Sequence, residues 1–376
     1  MAASAAHRRF AVLLLAALMA ASSCRTFVPA DPVRVAELSP ALGQLLLAGF
    51  TGAEADDNAE LEHLLCQARV GGVVLFARNI IDAPQVARLT ARLRERALAC
   101  ASRPPLVAVD AEGGQVMRLG PSTGYTPTLS AEELGAANDV TVTELEARRI
   151  GAMLRAAGIN WNLAPVVDVG YNPANPVIVG VGRSFGADPA LVTDQARAFI
   201  RGMREAGVLT ALKHFPGHGS SFADSHRGFV DVTETARPDV ELQPYRTLIA
   251  ERLADSVMTA HVFNRHLDRR YPATLSPATV TGLLRGDLGF DGPVVTDDLR
   301  MGAIEQHYGL DEAAVLALGA GADMLMIADD RLPDGRSAAD IVLAALRQAL
   351  AEGRLDLERV AAALGRVETL KARIAR

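Results

Sequence analysis

The chain predicts an α/β fold in one domain, a single (β/α)8 barrel of the TIM type, and three observations carry that reading. Short apolar runs alternate with longer Ala/Leu/Arg-rich stretches of helical period, the pattern of a parallel sheet wrapped by helices. Titratable residues stand at the carboxyl ends of successive runs, where barrel enzymes place their chemistry. No G-x-G-x-x-G follows the early runs, which lowers the case for an open dinucleotide-binding sheet. A length of 376 residues fits one barrel as well as two average domains, and 49% hydrophobic residues supply a large core.

The first stretch lies outside the barrel. A short basic start (His7, Arg8, Arg9) leads into the apolar stretch Phe10 to Ala21. That is the length of a secretory signal core and too short to cross a bilayer as a helix. Ala21-Ser22-Ser23-Cys24 follows and resembles a bacterial lipobox, although Ala21 stands where that motif prefers Leu. The resemblance implies a signal over residues 1–23 and lipidation of Cys24. An ordinary secretory signal with Cys24 incidental is the alternative. Both imply export, and the first implies a lipoprotein of a bacterial cell envelope, facing the periplasm or the exterior. Buried acyl chains hold a protein by about 0.8 kcal/mol per CH₂. Arg25 to Glu37, with two prolines and no apolar period, reads as a tether. Residues 24–37 then precede a catalytic domain over residues 38–376.

Seven runs read as strands: Gly72–Phe76, Pro105–Val109, Asn160–Val166, Val208–Leu212, Ser256–Ala260, Pro293–Thr296 and Met324–Ala328. Leu45–Phe50 is a candidate eighth. Between them Ala83–Ala99, Leu134–Ala157, Ala190–Ala206 and Ala313–Gly319 have helical period. Ala338–Arg376, interrupted near Gly353, is expected to pack on the barrel as helix. At the run ends stand Asp110 and Glu112, Asp168, Lys213 and His214, His261, and Asp297 with Asp298.

A formal charge of −6, with no block of Lys and Arg, argues against a nucleic-acid partner. The three cysteines show no C-x-x-C, and no H-E-x-x-H occurs, so neither a metal nor a cofactor is expected. After export, Cys66 and Cys100 could pair in an oxidising compartment or remain buried thiols.

The stretch K-H-F-P-G-H-G-S-S-F-A-D-S-H, Lys213 to His226, gathers three of the chain's eight histidines with a Lys and an Asp. An apolar run ends in cations, a Pro and two glycines force a turn, and Asp224 and His226 follow two residues apart. Clustered titratable groups mark sites more often than solvated loops. K-H-F-P-G-H-G followed by D-S-H resembles the signature loop of glycoside hydrolase family 3, in its β-N-acetylglucosaminidase branch. The resemblance runs from Leu38 to about Ala328 and leaves no room for the second α/β sandwich domain of larger members.

That resemblance implies an exo-acting, retaining β-N-acetylhexosaminidase that removes terminal N-acetylglucosamine from peptidoglycan fragments or related oligosaccharides. V-V-T-D-D-L-R-M, Val294 to Met301, resembles the nucleophile strand and points to Asp297. A carboxylate there suits a covalent glycosyl intermediate. Either Asp298 as the reactive group or both carboxylates as helix caps is the alternative. His226 matches the general acid/base and Asp224 its partner. A free imidazole titrates near pH 6.5, which suits both proton donation and acceptance. D-A-E-G-G-Q-V-M-R resembles a sugar-gripping segment and implies Asp110 and Arg118 as ligands, with Gln115 in place of the usual Arg and Glu112 structural. Arg183 of R-S-F-G, Lys213 and His214 are implied to reach the sugar, although the Arg183 loop is about two residues longer than usual. Asp168 reads as a brace of the barrel mouth, and His218 and His261 as structural. A phosphorylase or β-glucosidase on the same scaffold is the nearest alternative. A glycan-binding envelope lipoprotein without catalysis is the alternative of another class. A closed barrel is expected to be a monomer.

Overall fold

The computed structural model describes residues 32–374. The signal segment, Cys24 and most of the stretch read as a tether lie outside them. Pro32–Leu38, at the end of that stretch, is a short helix, and Arg34 Nη2 reaches Glu358 Oε1 at 2.7 Å.

Eight strands form the barrel: β1 (Leu46–Ala48), β2 (Gly72–Leu75), β3 (Leu106–Val109), β4 (Trp161–Asn162), β5 (Leu209–Phe215), β6 (Ser256–Thr259), β7 (Val294–Thr296) and β8 (Leu325–Ile327). Each is parallel to its neighbours in chain order from β1 to β7, and β8 pairs with β1. A bridge between Val295 and Met324, with Thr296 N donating to Met324 O at 2.9 Å, closes the ring. Among the described residues, closure leaves the barrel itself without an edge strand.

Helices cover the outside. Ala83–Ala101 starts at Asp82, whose side chain accepts from Gln85 N at 2.8 Å, with Pro84 in the first turn. Asp188 and Pro189 start Pro189–Glu205 in the same way. Inside, Val73, Val74, Leu212, Val257, Val294 and Leu325 are fully buried. Trp161 fills the largest share, and its Nε1 donates to Ser256 Oγ at 3.1 Å. The turn Ser39–Leu45, just before β1, is buried at Leu42 and Leu45 and packs against the helices Ala338–Ala351 and Leu357–Ile374.

Three elements differ from the sequence reading. The helix expected over Leu134–Ala157 is two, Ala131–Ala137 and Val140–Ala156. Asn138 takes a left-handed conformation and the Asp139 side chain caps the next helix, so this polar pair overrides the helical period. The run Asn160–Val166 is regular strand only over Trp161–Asn162, because Pro165 has no N–H to give the ladder. Conversely β5 does not stop at Leu212 but continues through Lys213, His214 and Phe215. Cys66 and Cys100 are joined as a disulfide, with Cα atoms 5.2 Å apart.

Candidate active site

A cavity of about 560 Å³ opens at the carboxyl ends of the strands. Asp110, Arg118, Arg183, Lys213, His214, Asp224, His226 and Asp297 all line it.

The β3 and β5 side is a buried ionic network. Lys213 Nζ reaches Asp110 Oδ1 at 2.8 Å and Glu112 Oε1 at 2.6 Å. Arg183 holds Glu112 through Nε and Nη2, both at 2.8 Å, and its Nη1 donates to Val177 O at 3.0 Å. Arg183 Nη2 also donates to His214 Nε2 at 3.3 Å, and His214 Nδ1 donates to Asp168 Oδ2 at 2.7 Å. Both ring nitrogens of His214 are thus in use, and Arg183 has little more than one Nη1–H to offer a ligand. Arg118 returns along the hairpin Ala111–Met117 and stands 3.5 Å from Asp110 Oδ2. Asp168, fully buried, also accepts from His218 N at 2.7 Å, which ties β4 to the loop after β5.

Charges taken out of water survive only when paired. Burial raises the Glu112 carboxyl, but the Arg183 and Lys213 cations outweigh it and hold the group far below the usual carboxylate range. Burial likewise opposes the Lys213 ammonium, and the Asp110 and Glu112 carboxylates reverse that and raise it. Burial opposes the Asp168 carboxylate too, but the His214 imidazole that donates to it and the His218 peptide N–H hold it below its ordinary value and keep it ionised.

At the end of β7 the two carboxylates separate. Asp297 Oδ1 accepts a hydrogen bond from Asp298 N at 2.8 Å. Burial raises its carboxyl, but the imidazoles of His261, His214 and His226 outweigh that and leave it below its ordinary value. Asp298 is tied down instead: one oxygen accepts from Ala328 N at 2.9 Å and Arg300 N at 3.2 Å. Burial pushes it up to about 6. His261 Nε2 donates to Asp298 O at 2.8 Å, which fixes the peptide beside Asp297. Asp297 is thus the carboxylate held below its ordinary value, with one backbone hydrogen bond against two on Asp298.

Asp224 and His226 come from the loop after β5. Asp224 Oδ1 accepts from His226 N at 2.9 Å and from His226 Nδ1 at 2.7 Å. That leaves Nε2 without a partner among the described residues. The loop rests on the helix after β7: Gly302 N donates to His226 O at 3.2 Å, Ala303 N to Ser225 O at 3.1 Å, and Gln306 Nε2 to Arg227 O at 2.9 Å. Its base is pinned by His218, whose ring nitrogens meet Ser221 Oγ at 2.7 Å and Ser225 Oγ at 3.1 Å. Burial pushes that imidazole down to about 4, so it is neutral.

The sequence reading passed over several residues. Asn172 and Asn175 donate amide hydrogens to the carbonyls of His218, Ser220 and Ser221 and hold the loop from the β4 side. Their only sequence signal is the Asn-Pro turn pattern around them. Phe76, Met258 and Met326 form an apolar part of the cavity wall, and Arg78 lies over the Phe76 ring at 4.7 Å. Among the described residues no three His, Cys, Asp or Glu side chains are grouped as metal ligands.

A barrel mouth with an ionised carboxylate, an Asp–His pair on a neighbouring loop and a buried cluster of cations and carboxylates defines a TIM-barrel enzyme of the glycosidase class. The profile of the Glycosyl hydrolase family 3 N terminal domain matches residues 37–370, and the chain belongs to that family. It is 35% identical over 341 residues to Beta-hexosaminidase A of Pseudoalteromonas piscicida, covering 84% of this chain and 55% of that one. The chain thus spans about half the length of that relative. It is 38% identical over 354 residues to Beta-hexosaminidase LpqI of Mycobacterium tuberculosis, covering 91% of this chain and 85% of that one. The glycoside hydrolase family 3 beta-N-acetylglucosaminidase of Paenibacillus sp. str. FPU-7 superposes with a TM-score of 0.84 at 42% identity, over 90% of this chain and 62% of that one.

Proposed function

We propose that this protein is an exo-acting, retaining β-N-acetylhexosaminidase that releases terminal N-acetylglucosamine from peptidoglycan fragments or related oligosaccharides. The observation that carries the reading is that ionised Asp297 and the Asp224–His226 pair share one cavity with a network of charged and polar side chains. The names of the relatives supply the sugar. Asp297 attacks the anomeric carbon while the bond to the leaving oxygen breaks, and the imidazolium of His226 gives that oxygen its proton. Water then adds to the anomeric carbon, the bond to Asp297 breaks, and His226 takes the proton from water. Asp224 holds the ring in one tautomer through Nδ1 and stabilises its charged form. Asp110, Arg118 and Lys213 bind sugar hydroxyls through charge-assisted hydrogen bonds, and Arg183 and His214 act chiefly by holding Glu112 and Asp168.

The test compares nitrophenol release from the β-N-acetylglucosaminide and the β-glucoside, with and without phosphate. Preference for the acetamido sugar, unchanged by phosphate, is expected. A sugar 1-phosphate product identifies a phosphorylase instead, and preference for glucose a β-glucosidase. Asp297→Ala is expected to remove turnover, by roughly 10⁴-fold or more. Near-normal activity would sink the assignment.

The same reading places the protein as a monomer anchored through acyl chains on Cys24 in a bacterial envelope. The basic start and apolar segment before Cys24 support export, as does a disulfide, which persists in oxidising compartments. Palmitate labelling that disappears in Cys24→Ser is the expected result. Labelling that persists in the variant removes the anchor at Cys24.

A further inference from the structure

Behind the loop that carries His226 lies a buried carboxyl that the proposed chemistry does not use. Glu241 is in the first turn of the helix Pro238–Ala250 and is 4% exposed. Its stem lies flat against Gly217, where a Cβ would come within 2.8 Å of Glu241 Cβ and Cδ. Gly217 has φ +143°, so glycine is required there both for space and for backbone conformation.

One oxygen, Oε2, accepts from Arg237 N at 3.2 Å. The other, Oε1, is buried and completes no hydrogen bond, and the same is true of Ser220 Oγ. The hydroxyls of Ser220 and Tyr171 both act on this carboxyl. Tyr171 is already engaged, donating to Thr235 O and accepting from Arg237 N, each at 3.1 Å. Ser220, on the loop itself, is therefore the natural partner of Oε1. Burial pushes the Glu241 carboxyl up to about 7. Its protonated form can donate to a hydroxyl oxygen, and its ionised form can accept from one. Two buried polar atoms left open are unfavourable, and joining them is downhill.

We propose that Glu241 is a positioning residue for the acid/base loop: its stem packs on Gly217 and its open carboxyl oxygen takes up the open Ser220 hydroxyl, so that Asp224 and His226 stand over the cavity. Glu241 does not line the cavity, so it acts only through the loop. The inference rests on the reading in which His226 protonates the leaving oxygen.

That role has a signature. A nitrophenolate leaves without a proton, whereas the sugar alcohol released from N,N′-diacetylchitobiose needs one. The experiment measures kcat/KM of the wild type, Glu241→Ala, Glu241→Gln and Ser220→Ala on 4-nitrophenyl N-acetyl-β-glucosaminide and on diacetylchitobiose. In Glu241→Ala the value for the disaccharide is expected to fall at least about tenfold further than that for the nitrophenyl substrate. Glu241→Gln, which keeps shape and hydrogen bonding, is expected to restore the wild-type ratio. Ser220→Ala, a smaller change, is expected to show the same sign and decides the matter if Glu241→Ala does not fold. Equal losses on both substrates, or an unchanged ratio in both Ala variants, overturn the proposal. A wild type that cleaves neither substrate instead removes the hydrolase reading beneath it.

Discussion

At Glu112 a single carboxylate meets Lys213 and Arg183 with almost no water to screen them, its own side chain 4% exposed. In the sequence it is one acidic residue two positions after Asp110, and nothing in its neighbourhood announces partners that lie far along the chain. Asp297 was easier to read, because an apolar β-branched run ending in a carboxylate has few other uses at a barrel mouth. Glu112→Gln leaves a buried ammonium and guanidinium short of their counterion, which costs roughly 3–5 kcal/mol. Denaturant unfolding at neutral pH is expected to show that loss. The Glu112 carboxyl is held below its ordinary value of 4.5 in the fold. Its stabilising contribution is therefore complete above about pH 4.5 and is lost as pH falls towards the folded value. The variant should accordingly lose less stability on acidification than the wild type does. Parallel acid curves for the two proteins count against this account of Glu112.

Among the elements, β5 and the loop after it were legible in their motif but not in their boundary. Apolar periodicity ends at Leu212, yet the strand runs on through Lys213 and His214, because Asp110 and Glu112 after β3 pair with the ammonium and Asp168 after β4 accepts from the imidazole. Pairing across strands is invisible to a reading along one strand. The same limit hid the resting place of the loop. Gly302 begins the helix after β7, and a Cβ there would come within 2.8 Å of Arg227 C and 2.9 Å of His226 O. Both are backbone atoms that cannot swing aside. Gly302→Ala is therefore expected to push the His226 segment off the cavity while leaving the barrel intact. Cleavage of diacetylchitobiose should drop about 10- to 100-fold, with a smaller effect on the nitrophenyl substrate. Unchanged kinetics on the disaccharide would show that the loop does not need this seat.

Across the whole molecule, the alternation of strands and helices was readable because each barrel strand is buried on both faces and reads as a continuous apolar run. The candidate eighth strand, β1, is identified by its pairing with both β2 and β8, which no reading along the chain supplies. The ends of the barrel divide the labour. The site occupies the carboxyl ends of the strands, whereas Cys66 and Cys100 lie in the segments that lead into β2 and β3, at the amino ends. Spacing alone left their pairing open, because a 34-residue separation places no constraint on distance. The disulfide should therefore govern stability without touching the chemistry. By chain entropy, closing a loop of that length stabilises by about 3–4 kcal/mol. Replacing both cysteines by serine is expected to lower the unfolding free energy by that amount, read from guanidinium titration. The kcat and KM of the variant should stay within about twofold of the wild type. Reductant should bring the wild type down to the variant and leave the variant unmoved. A variant that keeps its stability but loses activity would mean that the amino-terminal face shapes the site after all.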